Sequence, residues 1–273
     1  MKTPAATAIT ANCVVTQWRN NRAGIEMAQI AEEVPIALEY NGIAHVVMLA
    51  TPADLLDFAW GFSMTEGIVR TPADIYDCEI LTGEAGIRVT LQIASEAFMN
   101  MKEKRRRLAG RTGCGLCGME SLQQLHTPAP VNSTARVTWA QLQNAMQDME
   151  TKQVLRAQTG ATHAAAWMKR DGTVSTVRED VGRHNALDKL IGALWQQQEE
   201  LSSGSILVSS RASYEMVQKC AAAGAGVLAA VSSPTAMAIR MAAAANITLI
   251  GFVRRNGCAV YTHTNRFDGN PPD

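Results

Sequence analysis

Short apolar runs alternate with longer amphipathic stretches over the last third of the chain, and few architectures accept that alternation. The reading is strand (Ser205 to Ser209), helix (Tyr214 to Ala223), strand (Val227 to Val231), helix (Thr235 to Ala245) and strand (Ile247 to Val253). Crossovers of this length make neighbouring strands parallel and cover both sheet faces, so the expected class is α/β. In such sheets ligands gather at the carboxyl ends of the strands, where helix N-termini leave N–H groups free. Three segments are expected to converge there: Ser209-Ser210-Arg211-Ala212-Ser213, Ser232-Ser233-Pro234-Thr235 and Phe252-Val253-Arg254-Arg255-Asn256-Gly257. Hydroxyls and three arginines at one rim suit a phosphate or nucleotide. The competing reading is that Ser and Thr only cap the helices and that the arginines are solvated.

Upstream, Val34 to Tyr40 and Ile43 to Leu49 flank Asn41-Gly42, the pair that accepts the two positive φ angles of a type I′ hairpin turn. Thr51-Pro52-Ala53-Asp54 reads as a helix start with Thr51 as cap, and the helix runs to about Glu66 with Gly67 beyond its end. Ile87 to Ile93 alternates as a strand and Ser95 to Ala109 reads as a helix. The turn-rich stretch Thr127 to Ser133 suggests a boundary. Residues 1–30 are expected to be frayed, 31–130 to form an α+β subdomain, and 131–273 an α/β/α domain. That domain opens with a helix near Trp139 to Glu150 and a hairpin, Thr162 to Met168 and Val174 to Val177, turned by Asp171-Gly172; a helix follows Asp180.

Charge narrows the function class. With 25 Lys+Arg against 25 Asp+Glu in 273 residues, there is no basic excess of the kind nucleic acid or a membrane surface selects. The most apolar stretch, Cys220 to Val231, is interrupted by Gly224 and Gly226 and falls short of the ~20 residues of a transmembrane helix. Neither nucleic acid nor membrane is expected as a partner. Thinly spread cysteines and a start lacking the apolar core of a secretory signal point to the cytoplasm.

The segment 102–118, KEKRRRLAGRTGCGLCG, places two thiols among glycines directly after a run of cations. Neighbouring cations favour thiolate over thiol, and the thiolate is the nucleophile. A thiolate that takes up sulfane sulfur becomes a persulfide, one of the reversible states open to an exposed cysteine. Other chemistries fit less well. The string Gly113, Gly115, Gly118 follows a basic helix instead of the strand that a dinucleotide fingerprint requires. A structural zinc site wants a second pair of ligands, and Cys13, Cys78, Cys220 and Cys258 supply none at matching spacing. A thioredoxin-like CxxC would open a helix just after a strand. An RNA-binding arm would carry aromatics for stacking.

Two histidines are further candidates. His163 sits in Thr162-His163-Ala164-Ala165-Ala166-Trp167, where a satisfied core histidine is the ordinary reading. A zinc deaminase would instead show His-x-Glu before Pro-Cys-x-x-Cys, and both the glutamate and the order are missing. His184 lies at a helix start with Asp180 and Arg183 nearby, where it could face an anion or simply join a surface salt bridge.

Four stretches, Gly110 to Gly118, Gly160 to Trp167, Glu179 to Lys189 and Ser209 to Met216, together resemble the FdhD family of formate dehydrogenase accessory sulfurtransferases, with the likeness running from about Glu32 to Thr262. The resemblance implies a cytidine-deaminase-like three-layer α/β/α C-terminal domain with a smaller α+β N-terminal subdomain, usually as a homodimer. It also implies sulfur carriage from a cysteine desulfurase to the molybdenum cofactor, as bis-molybdopterin guanine dinucleotide, before insertion into formate dehydrogenase. By motif match Cys114 would carry the persulfide and Cys117 would assist. Phe252, Val253, Arg254, Arg255, Asn256 and Gly257 would hold the guanine dinucleotide, with Ser210 and Arg211 beside them and no metal bound by the chain itself. Asn256-Gly257 departs from the Gly-Arg pair associated with that stretch, and Arg254 or Arg255 would replace the cation. The rival from another class is a cofactor-binding chaperone in which the cysteines only protect or dock.

Overall fold

The computed structural model describes residues 8–109 and 128–269, without the side chains of residues 104–109. Cys114 and Cys117 therefore lie outside the described residues.

The expected alternation is present. Strands β10 (Ser205–Val208), β11 (Val227–Ala230) and β12 (Thr248–Arg254) are parallel neighbours, connected through helices α6 (Tyr214–Ala222) and α7 (Ala236–Ala244). On one side the antiparallel pair β8 (His163–Met168) and β9 (Val174–Asp180) extends the sheet, and on the other β13 (Gly257–Val260) closes it, giving the order β13-β12-β11-β10-β8-β9.

Period-two alternation assigns the two faces of this sheet. Ala165, Trp167, Ile206, Val208, Leu228, Ala230 and Leu249 pack against α6, α7 and α5 (Arg183–Gln196). Ala164, Ala166, Met168, Leu207, Val227, Ala229 and Ile250 pack against α3 (Trp139–Thr151). Three layers result. Thr138 caps α3 with a full capping box, its hydroxyl accepting from Gln141 N while Gln141 Oε1 accepts from Thr138 N. Strand β7 (Val137–Thr138) leads into that cap and pairs with β14 (Phe267–Asp268).

The N-terminal half builds a second sheet, β4-β3-β6-β5, from β3 (Val34–Tyr40), β4 (Ile43–Ala50), β5 (Ile75–Gly83) and β6 (Gly86–Ile93). Asn41 and Gly42 have φ of 47° and 77°, the backbone of the expected type I′ turn. Ile36, Leu38, Tyr40, Val89 and Leu91 face α1 (Leu55–Thr65), and Met101 of α2 (Ser95–Ala109) closes the same core.

Helix α1 lies directly on α5. A Cβ at Gly61 would overlap the carbonyl of Asp188, and one at Gly192 would overlap the carbonyl of Asp57, so the two backbones meet where neither helix has a side chain.

Two expectations are corrected. Thr51 is not the cap of α1: the cap position is Asp54 in the left-handed region, at φ 53°, and Thr51 is turned toward Asp180 and Val181. Nor is the stretch to residue 30 frayed. From Thr10 it forms a hairpin, β1 (Thr10–Arg19) paired in full register with β2 (Arg22–Ala31). Asn20 and Asn21 supply the turn at φ 50° and 62°, a backbone that asparagine tolerates better than most residues.

Candidate functional site

A groove of about 740 Å³ opens at the carboxyl edge of the parallel strands. Ser209, Val231 and Val253, at or just beyond the ends of β10, β11 and β12, form its floor, and Met146, Met149 and Glu150 of α3 form one wall. Three arginines line it. Arg254 and Arg255 come from the tip of the β12–β13 hairpin, and Arg156 comes from α4 (Val154–Thr159). The hairpin tip is tied to α3 because Gln143 Nε2 donates to the Arg255 carbonyl at 2.9 Å. Arg156 is anchored through its backbone, since the carboxylate of Glu179 accepts from the N–H groups of Leu155 and Arg156, each at 2.8 Å.

Phe252 has φ 54°, costly for a bulky side chain, where the β12–β13 register shifts between Gly251 and Arg254. Its half-exposed ring lies 5.9 Å from the Arg254 guanidinium carbon, so ring and cation form a platform of the kind on which a planar base stacks. Phe252 itself lies outside the lining of the groove, while Val253, Arg254, Arg255 and Asn256 line it.

The remaining rim residues divide differently from expectation. Ser209 lines the groove, and its hydroxyl accepts from Ala164 N at 2.8 Å. Ser210 is buried and donates to the Arg211 carbonyl, and Arg211 is exposed outside the groove lining. Thr235 caps α7 by accepting from Ala238 N, and Ser213 donates to Glu215. Most of the rim hydroxyls therefore do structural work. Arg156 was missed because no motif marks it; it reaches the groove on a short helix remote from the parallel strands.

The motif Glu179 to Lys189 is mainly a buried polar knot. Lys189 and Asp180 are fully buried, with Nζ 2.7 Å from Oδ2. Asp180 also accepts from Thr51 N, Gly182 N and Asn185 Nδ2, and Lys189 donates to the Thr51 carbonyl. Asn185 reaches across to the Leu49 carbonyl, so the knot joins the two sheets. A second buried pair, Lys219 with Asp188 at 3.0 Å, is completed by Thr65 and Glu66. Burial alone would lower the Lys219 ammonium, but Asp188 and Glu66 outweigh it and raise the pKa.

Both histidines titrate below their ordinary value. Burial is the main cause at each, helped by Arg183, and for His163 also by Arg156. His184 lies 3.3 Å from Glu215. Among the described residues, His163 Nδ1 and Arg183 Nε are buried polar atoms without a hydrogen-bond partner, so neither of these two atoms is explained by the buried knot.

Three described cysteines are poor nucleophiles. Burial pushes the Cys78 thiol up to about 12, aided by Asp77, and raises Cys258 and the fully buried Cys220 as well. At pH 7.5 iodoacetamide is expected to label Cys220 and Cys78 only after denaturation, as read by peptide mass spectrometry. Rapid native labelling of Cys220 would contradict the burial described here.

Comparison with known proteins finds relatives that match most of the chain. The FdhD/NarQ family model matches residues 31–268. The chain is 61% identical over 253 residues to the sulfur carrier protein FdhD of Cupriavidus necator, covering 92% of this chain and 88% of that protein. It is 54% identical over 250 residues to the protein of the same name from Bordetella petrii, covering 91% and 90%. In fold it is similar to the crystal structure of a putative formate dehydrogenase accessory protein from Desulfotalea psychrophila, with TM-score 0.76 and 22% identity over 95% of this chain and 100% of that one. A family match over most of the chain, and relatives this similar along nearly their whole length, establish that the chain belongs to the FdhD/NarQ family.

Proposed function

We propose that the chain is a sulfur carrier serving formate dehydrogenase, taking sulfur from a cysteine desulfurase and delivering it to bis-molybdopterin guanine dinucleotide held in the groove. The observation that carries this reading is the groove itself: three arginines, a hydroxyl and an adjoining aromatic platform at the carboxyl edge of a parallel sheet. That donor set fits a guanine dinucleotide. Arginine forks suit phosphate oxygens and an exposed ring suits a base. In our reading the mixed sheet flanked by helices is a cytidine-deaminase-like scaffold, and the carrier works in the cytoplasm.

In the first step the Cys114 thiolate attacks the outer sulfur of the donor's persulfide. The donor S–S bond breaks, its cysteine leaves as thiolate, and Cys114 becomes a persulfide. In the second, the Cys117 thiolate attacks the inner sulfur of Cys114, closing a disulfide and releasing the outer sulfur as hydrosulfide. The two electrons come from the thiol pair, so reduction of that disulfide resets the carrier. The cofactor is the acceptor, and its supply of a metal site for sulfur is the only chemistry it brings.

Guanosine diphosphate serves as a probe of the groove. Charge-assisted hydrogen bonds are worth about 1.5–3 kcal/mol each, so Arg254→Ala and Arg255→Ala are each expected to weaken its binding by roughly tenfold or more. Titration calorimetry checks this, and unchanged affinity in the double variant would remove the groove as the nucleotide site.

A further inference from the structure

The three arginines of the groove are exposed, but one polar side chain of the same lining is not: Gln153 is only 4% exposed. Its Nε2 donates to the Met149 carbonyl at 3.4 Å. That contact orients the amide, because turning it over would set two carbonyl oxygens against each other. Oε1 is then left without a hydrogen-bond partner among the described residues. Folded chains hold few such atoms, since a buried acceptor that gives up water gains nothing in return.

Helix capping does not account for it. Gln153 occupies the N-cap position of α4 yet makes no side-chain cap bond, and the N–H groups a cap would serve, on Leu155 and Arg156, are taken by the Glu179 carboxylate. The orphan is an acceptor, so what it lacks is a donor. The arginines cannot read a donor edge of a bound molecule, because a guanidinium only donates. Guanine and pterin both carry such an edge, an exocyclic amine beside a ring N–H.

We infer that Gln153 is a specificity-determining residue of the groove, its Oε1 accepting from the exocyclic amine of a 2-amino-4-oxopyrimidine ring, the unit common to guanine and pterin. The inference rests on the nucleotide reading of the groove proposed above and adds which group of the ligand is read. Arg254 and Arg255 hold charge whatever the ring, whereas Gln153 tells one ring from another: a ring without the amine leaves the buried acceptor dry.

Titration calorimetry on the full chain with two pairs of probes is the test. Guanosine diphosphate is set against inosine diphosphate, and pterin against 4-hydroxypteridine, the second of each pair lacking only the amine. In the pair that reaches Gln153, loss of the amine is expected to weaken binding to the wild type roughly tenfold, the scale of one buried hydrogen bond. A response in the guanosine pair assigns the base of the nucleotide, and one in the pterin pair assigns the pterin. In Gln153→Met both members of the responding pair should bind alike, at the weaker affinity. Its melting temperature without ligand should be unchanged or higher, because an unsatisfied acceptor has been removed; a residue kept for structure would lower it. Should that variant fail to fold, Gln153→Asn, whose amide stops one methylene short, is expected to erase the preference in the same way. Equal affinity within both pairs for the wild type overturns the inference, and so does a preference for the amine that survives both substitutions. If guanosine diphosphate binding depends on Arg254 and Arg255 while the amine is ignored, the groove reading stands and only the role of Gln153 falls. A wild type that binds none of the four probes overturns both.

Discussion

Lys189→Met is expected to cost about 3–5 kcal/mol of folding stability, the range for removing one partner of a buried ion pair. The substitution nearly preserves volume, so the cost comes from charge rather than from a cavity. Asp180 has no solvent exposure and would be left with three hydrogen-bond donors and no cation. The Thr51 carbonyl would lose its ammonium partner at the same time. Because Thr51 and Leu49 belong to the N-terminal half, the loss should loosen the seam between the two sheets before it touches the core of either. Urea denaturation followed by circular dichroism measures the change. Asp180→Asn combined with Lys189→Met should recover at least half, because an amide beside a thioether buries no net charge. A cost below about 1 kcal/mol for the single variant would show that the pair is not needed to satisfy the site.

That knot also marks where sequence reading reached its limit. In sequence, Asp180, Arg183 and His184 look like one helix start, suited equally to an anion or a surface salt bridge. Folding divides them: Asp180 and Lys189 turn inward, while His184 reaches Glu215. Charges within a short motif do not reveal which face of a helix each occupies when the helix itself is buried on most sides, as α5 is. The parallel sheet was legible because its strands are buried on both faces and its helices carry one apolar stripe. The first hairpin was not, since its apolar side chains face outward and the usual contrast between core and solvent fails. Strand β5 was hidden by an edge position, charged outer residues Asp77 and Glu79, and a register shift between Ile75 and Asp77. At the groove, Arg254 and Arg255 were legible as a pair following a strand, whereas Arg156 is placed by Glu179, which reaches it from β9, in a contact only the folded chain brings about.

Cys114→Ala is expected to abolish maturation of formate dehydrogenase while leaving guanosine diphosphate binding unchanged. Three of the described thiols, Cys78, Cys220 and Cys258, are raised by burial and hold their protons at neutral pH. Cys13 is exposed but sits in a hairpin strand, and Cys13→Ser serves as the control. The CxxC follows a helix whose sequence ends in a run of cations, the setting that favours thiolate. Incubation with a cysteine desulfurase and cysteine should add one sulfur, about 32 Da, to the peptide containing Cys114 and to no other. In Cys117→Ala that adduct should still form but persist, because in the proposed mechanism the second thiolate closes the disulfide and frees the hydrosulfide. Full maturation by Cys114→Ala would make the chain a cofactor-binding chaperone, with the groove retained and the carrier chemistry lost. An adduct on Cys117 in place of Cys114 would reverse the order of the two thiols and leave the balance of electrons as it stands.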